Sequence, residues 1–169
     1  MLRVVQRGAA RTKAIVQALH NYSRGDEQRP RELVLARSVD DTLDLLRHRL
    51  RNVRVEKQID PELRLHGFPG QIDQVFMNLI SNAAQALGAR DSGGTIRVAA
   101  HRKGDEVEIT VADDGPGIPP DVIPKIFDPF FTTKDVGEGT GLGLSTTMTL
   151  VKSHGGFINV YSEEKKGTQ

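Results

Sequence analysis

The sequence predicts an α/β (α+β) fold: a two-layer sandwich in which about three helices cover one face of a mixed, mostly antiparallel sheet. Three observations predict this class. Several segments carry apolar residues at helical spacing, short strand-like segments lie between them, and two of those strands are spaced as a hairpin. The long alternating strand–helix units of a doubly wound parallel sheet are absent from the sequence. A chain of 169 residues can bury the core of one such domain.

The N-terminal part of the chain predicts a helix that is separate from this domain. Residues 1–24 place their apolar side chains on one stripe, and residues 25–30 form a polar linker with glycine and proline. A helix this short needs a partner helix to cover its stripe. We therefore predict a helical appendage over 1–24, a linker over 25–30 and a main domain over 31–169.

The first half of the main domain alternates strand and helix. A strand is predicted at residues 32–35, and the next helix is capped near Ser38 or Asp40 and runs through Leu50. Further elements are predicted in this order: strands at 53–59 and 63–66, a helix opened by Pro69, and a hairpin of residues 95–102 and 107–113.

The second half opens with a long segment that has little regular pattern. Residues 114–140 contain five prolines and several glycines. Irregular loops of that length are uncommon in compact domains unless they are functional, so we predict a lid over residues 119–139. A helix at 142–153 and a strand at 157–162 are predicted to complete the domain.

Composition excludes several classes of function. There is no cysteine, so disulfides, thiolate metal sites and cysteine nucleophiles are excluded. The net charge of +1 gives no indication of nucleic-acid or membrane binding. No apolar run reaches the ~20 residues that span a bilayer, and no signal peptide is visible. We expect a cytoplasmic domain, and leave open a membrane anchor in a longer parent protein.

The helix after Pro69 carries the first candidate site. Its polar stripe consists of Gln74, Asn78, Ser81, Asn82 and Gln85. Asn78 and Asn82 are one turn apart, so their amides project from the same side of the helix. Asparagine is a poor helix former, and its amide oxygen suits Mg²⁺. A hydrated amphipathic face is the alternative, and this helix alone favours it.

Two glycine-containing segments form the other candidate sites. Residues 113–117 place an aspartate at a strand end before two spaced glycines, where backbone can approach a flat ligand and the carboxylate can accept from an amine such as adenine's. An ordinary turn is the alternative there. Residues 137–144 are glycine-rich and enter a helix, an arrangement that binds anions. Neither G-x-x-x-x-G-K-[ST] nor G-x-G-x-x-G fits this segment.

Taken in order, these segments resemble the four nucleotide-binding boxes of histidine kinases. Residues 78–83 resemble the N box, 113–117 the G1 box, 127–130 the F box and 139–144 the G2 box. The resemblance covers residues 31–169. Residues 132–134 and 154–156 look most like the nitrogen-regulation type of kinase. The chain is thus identified as similar to the catalytic domain of a two-component sensor histidine kinase, of the GHKL or Bergerat fold.

The resemblance implies a site for ATP and Mg²⁺. Asn82 would ligate Mg²⁺, with Asn78 helping directly or through water. Asp113 would accept a hydrogen bond from the adenine amine, and Lys134 would contact phosphate. The implied ATP-binding residues are Asn78, Asn82, Asp113, Gly115, Gly117, Ile118, Phe127, Lys134, Gly139, Thr140, Gly141, Leu142, Gly143 and Leu144. No catalytic residue is assigned.

The resemblance also implies partners. The γ-phosphoryl group would pass to a histidine of a dimerisation domain, and from there to a response regulator receiver domain. None of the five histidines here is followed by the acidic residue of a phosphoacceptor pattern. Residues 1–24 resemble the end of the second dimerisation helix, and the family's strand after Gln169 is not in the sequence. We expect no nucleic acid and no membrane contact.

Related ATPases supply the alternative functions. Gyrase, mismatch-repair and heat-shock ATPases carry a glutamate where Asn78 stands, as the general base for attack by water. An amide cannot accept that proton, so ATP hydrolysis is expected to be poor. A serine kinase of the anti-sigma-factor type, or a nucleotide-gated interaction module without transfer, remains the alternative. One departure from the family is Asp73, where histidine or arginine is common.

Overall fold

The computed structural model describes residues 29–88, 93–134 and 139–169. The helix predicted over 1–24 and most of the 25–30 linker lie outside these residues. Three α-helices and seven strands are described: α1 (Leu35–Leu46), α2 (Pro69–Gly88), α3 (Gly143–Ser153), β1 (Arg31–Val34), β2 (Val53–Ile59), β3 (Arg64–Gly67), β4 (Gly94–Lys103), β5 (Glu106–Asp113), β6 (Ser162–Glu163) and β7 (Gly167–Thr168). The predicted fold class is confirmed.

The strands form two sheets. The larger one has the order β2-β4-β5-β7-β6, with β2 parallel to β4 and every other neighbouring pair antiparallel. The predicted hairpin is β4–β5, in which Lys103 pairs with Glu106 across the turn. β1 and β3 form a separate two-stranded antiparallel sheet, a division that the sequence pattern did not predict.

Helix α2 lies at the centre of the helical layer. It packs against α1 on one side and α3 on another, and it also contacts β4 and β5. Its apolar face supplies Phe76, Ile80 and Leu87, which are fully buried against residues such as Ile96 and Val98 of β4. Burial of this face fixes the helix, and it leaves the polar stripe of α2 facing away from the core.

The start and end of α1 differ from the prediction. Neither Ser38 nor Asp40 caps the helix, because α1 follows β1 directly and begins at Leu35, whose N–H donates to Leu63 O at 3.1 Å. Ser38 is buried inside the helix, where its carbonyl accepts from Thr42 Oγ1. The helix ends at Leu46, so Leu50 lies in the turn before β2. Because the chain passes directly from β1 into α1, the helix begins before Ser38 and Asp40, and neither residue is in a position to cap it.

The strand predicted at residues 157–162 is wrong for most of its length. Only Ser162 and Glu163 form β6, and they pair with the two residues of β7. Tyr161 still exchanges main-chain hydrogen bonds with Gln169, at 2.8 and 2.7 Å. Residues 157–160 alternate in exposure as a strand would, but no described strand lies beside them to complete a ladder.

The long segment after β5 is irregular, as predicted, apart from a short 3-10 helix at Ile123–Lys125. The helices in the described part of the chain include none with the length and apolar character needed to cross a membrane.

Candidate functional site

Asn78 connects α2 to α3. Its Nδ2 donates to the carbonyl of Gly143 at 3.0 Å and lies 3.1 Å from Thr147 Oγ1, while its Oδ1 accepts from Gln74 Nε2 at 2.8 Å. Thr147 is fully buried in α3. The amide of Asn78 therefore fixes the first turn of α3 over the polar stripe of α2. The sequence placed Asn78 on the correct face, but nothing in it singled out Thr147 as its partner.

Asn82 faces a cation. The ammonium group of Lys134 lies 3.4 Å from Asn82 Oδ1 and also donates to Gln85 Oε1. Two side-chain oxygens, one turn apart on α2, are thus gathered around a single positive charge. This donor set fits a hard cation such as Mg²⁺, and it brings Lys134 of the predicted lid to the same point.

The N-terminus of α3 lies over these two asparagines. A Cβ on Gly143 would lie 3.9 Å from atoms of both Asn78 and Asn82, an ordinary contact distance. Among the described residues no side chain caps the helix at Leu142, whose own N–H is 3.4 Å from Thr140 Oγ1. First-turn amides without a side-chain cap, together with the helix dipole, make this end of α3 suited to an anion.

Asp113 ends β5 beside the C-terminal half of α2. Its Oδ1 accepts from the N–H of Gly115 at 2.9 Å, which folds the following loop back on the strand. A Cβ on Gly115 would lie 3.4 Å from the Cβ of Ala86 in α2. Asp114 has a different partner, since its Oδ1 accepts from Thr95 N of β4 at 2.8 Å. It also lies near α2, because a Cβ on Gly94 would lie 2.6 Å from Asp114 Oδ1 and 2.4 Å from Leu87 Cδ2.

Ser162 anchors the glycine loop that follows Asp113. Its hydroxyl accepts from Ile118 N at 2.8 Å and donates to the carbonyl of Gly167 at 2.9 Å. Gly117 has φ +73°, and a Cβ there would lie 2.1 Å from the carbonyl oxygen of Glu163. The loop is therefore tied to β6 and β7. Sequence reasoning missed Ser162, because its partners are 44 and 5 residues away along the chain and no local motif marks it.

Phe130, inside the predicted lid, contacts Gly141, which lies just after it. Phe130 N–H donates to Gly141 O at 2.8 Å, and both residues have positive φ, 68° and 66°. A Cβ on Gly141 would lie 2.3 Å from the carbonyl carbon of Phe130. The side chain of Phe130 is 51% exposed, whereas Phe127 is half-buried.

Gly139 and its neighbours complete the predicted set. A Cβ on Gly139 would lie 2.5 Å from Thr132 Oγ1 and 3.2 Å from Lys134 Cδ, so this glycine permits the close approach of the lid residues Thr132 and Lys134. Leu142 and Leu144 are half-buried, and Thr140 is exposed. The structure thus brings Gly115, Lys134 and Gly143 to one face of α2, between Ala86 and Asn78. Gly117 and Ile118 are tied instead to β6.

A family model described as "Histidine kinase-, DNA gyrase B-, and HSP90-like ATPase" matches residues 67–169, which is more than half of the chain. The chain belongs to this family. The matched residues include α2, β4, β5, α3 and both glycine segments, so the match covers the whole of the candidate site.

Its relatives are sensor kinases. The chain is 38% identical to the sensor kinase CckA of Brucella abortus, over 97% of this chain and 19% of that protein. It is 37% identical to the sensory histidine kinase/phosphatase NtrB of Rhizobium leguminosarum, over 70% of this chain and 34% of that protein. The chain therefore spans only about a fifth to a third of these relatives. Within the ATPase family it is a domain of the histidine kinase type.

A solved structure of a histidine kinase domain has the same fold. The catalytic domain of the histidine kinase ThkA superposes with a TM-score of 0.73 at 31% identity, covering 83% of this chain and 91% of that one. The histidine kinase fold is thereby established for the described residues.

Proposed function

We propose that this domain binds ATP together with Mg²⁺ and donates the γ-phosphoryl group to a histidine of a dimerisation domain in two-component signalling. The observation that carries the proposal is the convergence on α2 of three features. They are the cation-facing oxygen of Asn82, the N-terminus of α3 without a side-chain cap among the described residues, and the carboxylate of Asp113, which holds Gly115 beside Ala86. The groups proposed to bind the metal, the phosphates and the base thus lie along one face of α2.

Each end of the stripe has its own task in this proposal. At the Ala86 end, Asp113 accepts from the exocyclic amine of adenine, with Gly115, Gly117 and Ile118 forming the wall of that pocket. At the Asn82 end, the first-turn amides of α3 and the ammonium of Lys134 donate to the phosphates. Thr140, Leu142 and Leu144 border the phosphates where the lid joins α3.

Asn82 is the better candidate of the two proposed metal ligands. Both nitrogen and oxygen of the Asn78 amide are already bonded within the protein, to Gly143, Thr147 and Gln74. Asn78 therefore acts mainly by holding α3 in place, and it assists the metal through the remaining lone pair of its oxygen or through water. When bound, Mg²⁺ supplies neutralising charge to the phosphate oxygens.

In this proposal the domain promotes phosphoryl transfer mainly by positioning the reacting groups. Phosphoryl transfer requires an in-line nucleophile and stabilisation of charge on the γ-phosphate, which the residues above provide without a general base on this domain. Asn78 cannot accept a proton from water, so the proposed acceptor is an external histidine nitrogen rather than water.

The partners follow from the same proposal. Residues 1–24 are proposed to be the end of a dimerisation helix, joined by the 25–30 linker, and the phosphohistidine is proposed to pass its group to a receiver domain. In support, ThkA has been solved in complex with the response regulator protein TrrA, and this chain superposes on that kinase with a TM-score of 0.73 at 27% identity. We propose a cytoplasmic location.

The test is phosphoryl transfer in trans. The chain is incubated with radiolabelled ATP, Mg²⁺ and a separate dimerisation domain from a related sensor kinase. We expect slow appearance of acid-labile, base-stable label on that domain, and none on a control in which its phosphoacceptor histidine is replaced by glutamine. Nucleotide binding without any transfer would favour the interaction module, and acid-stable label on a serine-bearing partner would favour the anti-sigma-factor kinase. Acid-labile label on this chain alone would overturn the need for an external histidine.

A further inference from the structure

A second cation borders the polar stripe of α2, and it comes from outside the four motifs. Arg49 lies in the turn between α1 and β2, and its Nη1 donates to Ser81 Oγ at 2.7 Å. Ser81 directly precedes Asn82 and lies one turn after Asn78. Gly143 of α3 packs on Asn78 and Asn82. Arg49 contacts Ser81 instead, and because successive residues of a helix are about 100° apart, it approaches α2 from a different side.

The contact with Ser81 leaves most of the guanidinium unused. A guanidinium has five N–H donors, and a serine hydroxyl is a neutral partner for only one of them. Among the described residues no carboxylate forms an ion pair with Arg49, whereas Arg54 and Arg97 both pair with Glu56. The side chain is exposed, and in the described part of the chain no anion neutralises its charge beside Ser81.

The order of groups along α2 indicates which part of a nucleotide Arg49 meets. The base end is marked by Asp113 and Gly115 at Ala86, and the metal end by Asn82. Ser81 lies five residues, or about 7.5 Å of helix, from Ala86 toward the N-terminus of α2. A guanidinium anchored there faces the part of the phosphate chain farthest from the base.

We propose that Arg49 binds the terminal phosphate of ATP, as a second cationic residue beside Lys134. This inference rests on the proposed function. A planar guanidinium donates two parallel hydrogen bonds to a phosphate, which a lysine ammonium does not. Ser81 orients Arg49 for this role.

The test compares Arg49→Gln with Arg51→Gln. Arg51 is an exposed arginine of the same turn, but its Nη2 contacts His48 Nδ1 at 2.9 Å rather than α2. Calorimetry with Mg²⁺ and ATP, ADP or adenosine gives the affinities. We expect Arg49→Gln to weaken ATP binding about tenfold, the usual scale for a lost charge-assisted hydrogen bond, and ADP binding about twofold or less. Arg51→Gln should leave all three unchanged, and Arg49→Lys should recover part of the loss.

The results that overturn the inference are distinct from those that overturn the proposed function. Equal losses for ATP and ADP, or equal effects of the two glutamine variants, would exclude a role at the terminal phosphate. A loss that extends to adenosine would make Arg49 a merely structural residue. If the unaltered chain binds no nucleotide, the proposed function itself fails.

Discussion

Asn78 and Asn82 are identical residues one turn apart, yet their surroundings give them different tasks. The Asn78 amide is bonded on both its nitrogen and its oxygen to neighbouring side chains and to α3, whereas Asn82 presents its oxygen to the ammonium of Lys134. A change at Asn78 is therefore expected to disturb the position of α3. A change at Asn82 is expected to act on the metal.

For Asn82→Ala we expect the Mg²⁺-dependent part of ATP affinity to fall by about tenfold or more. The reason is the loss of one oxygen ligand from a small cation that demands near-ideal geometry. Titration calorimetry with Mg²⁺ and with EDTA measures that part separately. The affinity in EDTA is the internal control and should change little. Equal Mg²⁺ dependence in variant and unaltered chain would remove Asn82 from the metal site.

Asp113→Asn should weaken recognition of adenine. The new amide can present a donor to the adenine amine and leave groups unpaired, at a cost of ~1–3 kcal/mol. Asp114→Asn is the matched control, because the neighbouring carboxylate accepts from Thr95 N of β4 rather than from Gly115 N of the glycine loop. Competition between ATP and GTP provides the measurement. If both variants keep the same preference for ATP, Asp113 does not read the base.

Helix α3 is fastened at both ends. Near its N-terminus Asn78 bonds to Gly143 and Thr147, and at its C-terminus the ring of His154 lies between α3 and the residues that precede α2. The ring Nε2 accepts from Phe68 N at 3.1 Å, and the Nδ1–H donates to Leu150 O at 2.8 Å. Helix α3, whose first-turn amides are proposed to bind phosphate, is thus held against α2 by polar bonds rather than by apolar burial alone.

His154→Leu is expected to destabilise the domain by ~1–3 kcal/mol, since it leaves the half-buried N–H of Phe68 without its acceptor. The tight packing at Gly67, where a Cβ would lie 2.8 Å from the ring, limits relaxation. Urea unfolding measures the change. His101→Leu, on an exposed position of β4, serves as control and should shift the unfolding free energy by less than ~0.5 kcal/mol. Equal effects of the two changes would contradict the role of His154.

Gly141→Ala should detach Phe130 of the lid from residue 141 and weaken ATP binding while the core stays folded. The new Cβ would combine an unfavourable φ with a clash against the Phe130 backbone, so the hydrogen bond between Phe130 and Gly141 should break. Gly155→Ala is a matched control, because Gly155 has φ +74° but nothing within 4 Å of its Cβ position. We expect an affinity loss of about tenfold for the first and little change for the second, measured by calorimetry. Equal losses would attribute the effect to backbone strain alone.

At the scale of the whole molecule, the core residues and the proposed binding residues lie on different faces of α2. The apolar face fixes the helix to β4 through Phe76, Ile80 and Leu87. The polar face meets the segments that are less regular, namely the lid and the start of α3. A ligand on that face should therefore order the loops and leave the core unchanged.

Hydrogen exchange tests this division. With Mg²⁺ and ATP we expect slower exchange in residues 119–134 and 139–143, and no change in β4, whose amides are already in a ladder on both sides. GTP should produce a weaker effect at the same concentration. Strong protection of the lid residues in the empty protein would refute a nucleotide-ordered lid.

Much of this architecture could be predicted from the sequence. The helix opened by Pro69, the β4–β5 hairpin, the irregular segment and the residues of the four boxes all depend on local periodicity, turn chemistry and glycine spacing. Each of these signals is contained in a few consecutive residues of the sequence. For the same reason, the face of α2 that carries Asn78 and Asn82 was predicted correctly.

Contacts between distant parts of the chain were decided only by the tertiary structure. The start of α1 depends on its hydrogen bond to Leu63, and the lost strand at 157–160 depends on a neighbour that local patterning cannot supply. Ser162, His154 and Arg49 join the site through partners 44, 86 and 32 residues away. The sequence by itself predicted the candidate nucleotide-binding residues, because each motif is complete within a few consecutive residues. Only folding determined what holds them there, because those bonds form between segments that meet through packing.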